Sequence, residues 1–230
     1  RFRDWGTLKY LLRGIEVNMP FIRNVYLVVS HPSQVPQWAD QEHLKVVLHQ
    51  DIIPADHLPT FNSNPIEMHL HRIEGLDEEY LYFNDDLFPV MPCCKEDFFR
   101  EGKGVLGFST HWICSGMYKK ICRNSDRLAR EAAGMKSSCS FMRPQHICTP
   151  MLRSHCQELY DRYQQRILNS LTRTREAINV TQYTYLNYQY YKGLMIRERI
   201  SSKHCSAALM SPEKLASYIL CPVHSYLLQH

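Results

Sequence analysis

Two adjacent carboxylates that follow an apolar run, Tyr80-Leu81-Tyr82-Phe83-Asn84-Asp85-Asp86, are the strongest chemical signal in this sequence. A buried strand that ends in hard oxygen donors presents them at its carboxyl end, where open α/β sheets bind their ligands. Asp85 and Asp86 suit Mg²⁺ or Mn²⁺, ions that bridge substrate phosphates while keeping several waters. The same residue types also favour a plain turn. A second signal is Thr60-Phe61-Asn62-Ser63-Asn64-Pro65-Ile66-Glu67, small polar side chains ahead of a helix start. Helix N-termini attract anions through free N–H groups and the helix dipole. Asn64 as N-cap, Pro65 at the first helical position and Glu67 at the third also form a capping box, so Glu67 reads equally as a cap. Downstream, His69, His71 and Arg72 fit phosphate contacts or a solvated face. His146 lies in a loop and has the chemistry of a general base, a phosphate contact or a nucleophile. Arg173 and Arg175 could clamp a phosphate through paired hydrogen bonds.

The elements that must position these groups follow from periodicity. Leu8, Leu11, Leu12 and Ile15 have helical spacing and predict a helix that ends before Pro20. Val25 to Val29 and Lys45 to His49 read as strands, separated by a Pro-containing loop from Ser30 to Pro36. Asp51 to Thr60 reads as loop, Pro65 to Ile73 as helix, and Tyr80 to Phe83 as a central strand. Lys103 to Phe108 predicts a strand and Met117 to Ala133 a helix. Thr149-Pro150 repeats the cap-plus-proline start, with Leu152, Cys156, Leu159, Tyr163 and Ile167 as the face of a long helix. A tyrosine-rich helix is expected from Glu176 to Lys192, its stripe serving packing rather than a sugar platform. Ser211-Pro212 opens a last helix. The fold class is α/β: a mixed or mostly parallel central sheet flanked by helices, Rossmann-like or GT-A-like, with a helical C-terminal part. The expected division is a catalytic core over 1–145 and a helical part over 146–230 that completes the site.

Composition narrows the function classes. The chain has 230 residues, 44% hydrophobic and 22% charged, the balance of a folded globular protein. Lys+Arg 27 against Asp+Glu 23 gives a net charge of +4, too small for a nucleic-acid arm and compatible with a phosphorylated ligand. No apolar run reaches membrane-spanning length, and the first residues do not form a signal peptide. Nine cysteines without a CxxC pair point to a reducing compartment and to structural roles, not to a zinc site. Walker and dinucleotide glycine loops, GxSxG, HExxH and DxDxDG are absent.

Several segments resemble a known family. Leu8 to Glu16, Gln34-Val35-Pro36-Gln37-Trp38, Leu58 to Ile73 and Tyr82 to Asp86 are similar to the second conserved region of the Stealth proteins. These are bacterial capsular polysaccharide hexose-1-phosphoryltransferases with an animal N-acetylglucosamine-1-phosphotransferase as a relative. His146 to Met151 through Glu158-Leu159 resembles the third region, and Arg173 to Tyr183 the segment after it. The resemblance implies transfer of a sugar 1-phosphate from a UDP-sugar to a hydroxyl of a glycan or lipid-linked oligosaccharide, in capsule or exopolysaccharide synthesis. It implies catalytic roles for Glu67, Asp86, His146 and Arg173, and a metal pair in Asp85 and Asp86 holding Mg²⁺ or Mn²⁺. Asn62, Ser63, Asn64, His71, Arg72 and Asn84 are the expected substrate contacts. The resemblance favours Arg173 over Arg175, because the family places its arginine six residues before an Asn or Gln and Asn179 fits that spacing. The cysteine pattern favours a bacterial cytoplasmic setting, at the inner face of the membrane, and no nucleic-acid partner is expected. A first family region is expected before Arg1 and a fourth after His230. The competing readings are a metal-dependent glycosyltransferase and a non-catalytic module that binds nucleotide sugar or glycan.

Overall fold

The computed structural model describes residues 6–39, 42–200, 202–204, 211–220 and 227–229. Helix α1 (Leu8–Asn18) forms where the periodicity places it and buries Leu11 and Ile15. Its Gly14 lies so close to the chain at Pro89 that a Cβ there would be 2.7 Å from the Pro89 carbonyl oxygen. Strands β1 (Val25–Val29) and β2 (Leu44–Leu48) pair in parallel, Val25 opposite Leu44 and Val29 opposite Leu48. Their connection is pinned by Gln34, whose carboxamide oxygen accepts from the Ser30 amide at 2.8 Å. Helical turn α2 (His49–Ile52) replaces the end of the expected second strand and the start of the expected loop, which also holds a 3₁₀ turn at Ala55–His57. There Asp51 accepts from the Leu48 amide at 2.8 Å, an acidic cap at a turn N-terminus.

Helix α3 (Ser63–Glu67) is shorter than the expected Pro65-to-Ile73 helix, and its cap is Asn62, not Asn64. The cause is local. The carbonyl of Pro65, which a continuing α-helix would join to the amide of residue 69, instead accepts from His69 Nδ1 at 2.6 Å. The His69 amide turns to Ile66 O at 3.0 Å, and a tighter 3₁₀ turn follows at Leu70–Arg72.

Strand β3 (Glu79–Tyr82) precedes β4 (Leu87–Pro89), β5 (Phe99–Arg100), β6 (Lys103–Leu106) and β7 (Phe108–His111). Then come α4 (Gly116–Ala132), β8 (Phe141–Pro144), β9 (Thr149–Leu152) and α5 (Arg153–Ser170). The C-terminal elements are α6 (Tyr183–Tyr191), β10 (Met195–Arg197), β11 (Ser202–His204), α7 (Pro212–Leu220) and β12 (Leu227–Gln229). Thr149-Pro150 corrects the expected helix start: both lie in β9, which is buried throughout and runs antiparallel to β3, Tyr82 opposite Thr149 and Glu79 opposite Leu152. Burial in a ladder outweighs the local cap signature, and Pro150 sits on a strand with one described neighbour, where a missing N–H is tolerated. Helix α5 is capped from outside, with Glu78 accepting from the Ser154 amide at 3.0 Å and from its hydroxyl at 2.6 Å.

The mixture of helices and strands is as expected, but the central sheet is not. The described strands form five small sheets of two or three strands, with parallel pairs β1–β2, β6–β10 and β11–β12 and antiparallel pairs elsewhere. The strand read as central, β3, takes an antiparallel partner from the distant β9. The tyrosine-rich helix is α6. It begins at Tyr183 rather than Glu176 and is buried over Tyr183 to Gln189, packing on α4. Its stripe is core, as expected, with Tyr185 Oη donating to Met68 O at 2.8 Å.

Candidate active site

The β3–β9 ladder brings two parts of the candidate chemistry together. Beyond Tyr82 the chain enters Asn84-Asp85-Asp86; just before Thr149 lies His146. Asp85 is exposed, whereas Asp86 is half-buried and its Oδ1 is sealed from solvent without a hydrogen-bond partner. Burial holds the Tyr82 phenol well above its ordinary value, and the charges of Glu67, Asp85 and Asp86 push it further while Arg175 opposes them. Three carboxylates and one guanidinium thus lie within electrostatic reach of this one phenol.

Glu67 is buried and accepts a short hydrogen bond from Thr181 Oγ1, not the capping interaction open to it from sequence. Thr181 is held through its amide, which donates to Ser125 Oγ at 3.0 Å. Next to it, Tyr183 Oη lies 3.1 Å from His146 Nδ1 and 3.0 Å from Tyr118 Oη. Glu67 also acts on the Tyr183 phenol, which burial raises far above its usual range. The acid and the exposed His146 thus flank the same tyrosine.

A buried asparagine cluster locks the segment before α3 to the loop after α5. Asn179 Oδ1 accepts from Asn62 Nδ2 at 2.9 Å, from Asn64 Nδ2 at 3.4 Å and from the Glu176 amide at 2.9 Å. Its Nδ2 donates to Ser170 O at 2.7 Å and Thr172 Oγ1 at 2.8 Å. Asn62 and Asn64 therefore turn their amides inward. Arg173 contributes its carbonyl, which accepts from the Phe61 amide at 2.8 Å, while its side chain is exposed. Arg175 reaches Ser63 Oγ at 2.7 Å. Of the two arginines, the geometry brings Arg175 onto the polar segment and next to Tyr82.

The remaining residues divide. Ser63, Asn84 and Asp85 line a cavity of about 2230 Å³ that also runs along β1 and β3; Glu67, Asp86, His146 and Arg173 lie outside its lining. Arg72 is exposed. His71 is 1% exposed, its ring between Tyr160 and Tyr185 at centroid distances of 5.1 and 5.4 Å and both nitrogens without a partner. His69 is fully buried, with Nε2 3.0 Å from Tyr160 Oη. Burial lowers both, His69 to about 4 and His71 to about 3, with Arg72 adding to the effect.

A divalent cation fits the Asp85–Asp86 pair in donor chemistry, and the unpartnered buried Oδ1 of Asp86 is an oxygen without a protein donor to satisfy it. No group of three or more His, Cys, Asp or Glu is arranged to hold a metal among the described residues. Further ligands would have to be water and substrate oxygens, the usual habit of Mg²⁺.

Residues 1–106 match the family model described as Stealth protein CR2, conserved region 2. Over that stretch the chain is similar to the second conserved region of the Stealth proteins. It is 47% identical over 102 residues to a receptor polysaccharide phosphotransferase, WefC, of Streptococcus oralis, covering 44% of this chain and 30% of that protein. It is 38% identical over 140 residues to the N-acetylglucosamine-1-phosphotransferase subunits alpha/beta of Mus musculus, 54% of this chain and 11% of the relative. An exopolysaccharide phosphotransferase of Streptomyces coelicolor is 31% identical over 214 residues, 87% of this chain and 22% of the relative. The chain thus spans less than a third of the length of each of these three. Within the Stealth region, the site places Glu67, Asp85, Asp86 and Ser63 on α3 and the turn after β3. Sequence reasoning missed Thr181, Tyr118 and Tyr183 as their neighbours and passed over Arg175. Only the pairing of Asn179 with its preceding arginines hinted at the loop that delivers it.

No helix among the described residues is long and apolar enough to cross a membrane. The seven described cysteines are free thiols, and Cys122, Cys148 and Cys156 are wholly buried, in keeping with packing roles.

Proposed function

We propose that the protein transfers a hexose 1-phosphate from a UDP-sugar to a glycan hydroxyl. The observation that supports this reading is the acid pair Asp85–Asp86 after β3, with an unpartnered buried Oδ1 on Asp86 and Arg175 held on Ser63, in a region similar to polysaccharide phosphotransferases. Asp85 and Asp86 would hold Mg²⁺ or Mn²⁺, which when bound supplies charge to offset that of the pyrophosphate. The acceptor oxygen forms a bond to the sugar-side phosphorus, the pyrophosphate P–O bond breaks, and the electron pair leaves on UMP. His146, exposed and oriented by Tyr183, takes the acceptor proton on Nε2 when Nδ1–H donates to the phenol. Arg175, positioned by Ser63, stabilises the phosphoryl oxygens, with Arg173 on the same loop as a second cation. Glu67 is held by Thr181 and acts from within as a positioning charge for Tyr183.

The test is Asp86→Asn. The variant removes a charge beside Asp85 from a half-buried position, so thermal stability should be unchanged or higher, while metal-dependent UMP release falls by about 10²-fold or more. Release of UDP in place of UMP would identify glycosyl transfer, and wild-type turnover in the variant would sink the metal assignment.

A further inference from the structure

Between β7 and the first turn of α4 the chain displays a ridge of large side chains: Trp112 is 70% exposed, Ile113 72%, Met117 48% and Tyr118 42%. We propose that this ridge is the acceptor platform, where a pyranose ring of the glycan stacks on the Trp112 indole. The proposal rests on the phosphotransfer reading and names its acceptor subsite.

Continuity with the site supports it. Tyr118 Oη is 3.0 Å from Tyr183 Oη, which is 3.1 Å from His146 Nδ1, so the ridge ends two hydrogen bonds from the proposed base. The chemistry of the surround matches a sugar rather than an acyl chain. Ser109 and His111 share one face of β7, with Ser109 Oγ 3.0 Å from His111 Nε2, and the exposed Thr110 lies between them. A pyranose has an apolar face for an aromatic ring and an edge of hydroxyls for such groups, and aromatic residues with one apolar and one polar side suit that pairing. An apolar patch rimmed by polar groups marks an interaction surface. Lys119 and Lys120 follow on α4, which makes an anionic lipid surface the competing occupant.

The experiment applies the labelled protein to a glycan microarray and to phosphatidylglycerol–phosphatidylcholine vesicles, with Trp112→Ala and Trp112→Phe beside wild type. Since Trp112 is largely in solvent, neither variant should lose thermal stability. Wild type should retain a defined set of glycans, Trp112→Ala should lose at least about tenfold in binding to them, and Trp112→Phe should keep most of it. In turnover, Trp112→Ala should raise the acceptor KM and leave UMP release to water unchanged. No glycan retained by wild type, equal binding by Trp112→Ala, or a Trp112-dependent affinity for the vesicles instead would each overturn the platform. If glycan binding follows Trp112 but wild type never releases UMP, the phosphotransfer reading fails and the platform stands.

Discussion

Acidification tests the interior beneath the site most directly. His69 and His71 are neutral in the folded protein because burial lowers them from the ordinary 6.5 to about 4 and about 3. The unfolded chain protonates both first as the pH falls. The stability due to their neutral burial is therefore fully present above about pH 6.5 and is lost on acidification, until about pH 4 for His69 and about pH 3 for His71. At pH 5 each imidazole is almost fully protonated when unfolded and almost fully neutral when folded, a linkage of about 2 kcal/mol each and about 4 kcal/mol together. Replacing His71 by Leu removes one half, along with two unpartnered ring nitrogens. Urea unfolding of both proteins at pH 7 and pH 5 should show wild type losing about 2 kcal/mol more than His71→Leu, roughly 1 M in midpoint. Other titrating groups are common to both and cancel. Equal losses in the two proteins would mean that His71 is solvated or charged in the fold, and the reasoning from burial would be wrong.

Asn179→Ala should destabilise by about 2–4 kcal/mol, because it leaves the amides of Asn62 and Glu176 without their acceptor; thermal denaturation and the donor KM together report the freed loop. Gly14→Ala should cost about 1–3 kcal/mol in chemical denaturation, since the new Cβ meets backbone at Pro89 rather than a side chain that can move. Arg175→Ala should lower kcat/KM by about 10²-fold and exceed the loss from Arg173→Ala; the reverse ranking in steady-state kinetics would restore the choice that the family resemblance implies.

Where a segment's structure depends on its own residues, it was legible in the sequence. Helix α1 and strands β1 and β2 lie where spacing and β-branching put them. Thr149-Pro150 was misleading because a partner strand far away in sequence decides its conformation, and a cap signature cannot register that partner. The Pro65 helix stops early for a reason equally invisible to periodicity: the imidazole of His69 takes the carbonyl that the next turn needs. The same limit applies to the site. Asp85 and Asp86 announce themselves as a pair after a strand, but choosing between Arg173 and Arg175 requires knowing which guanidinium turns toward Ser63.

The Tyr82–Thr149 register has a consequence for how such a chain can diversify. The acid pair and His146 belong to the two ends of one long excursion, and those ends are clasped side by side in a ladder. Closing a longer loop between fixed ends adds only slowly to its entropy cost. Material can therefore be inserted or trimmed in the exposed stretch between β7 and α4 without moving the groups at its base, whereas α4 itself is fixed by Ser125, which holds Thr181. Change is confined by this packing to the exposed connection, and the clasp is what keeps such change from reaching the groups below.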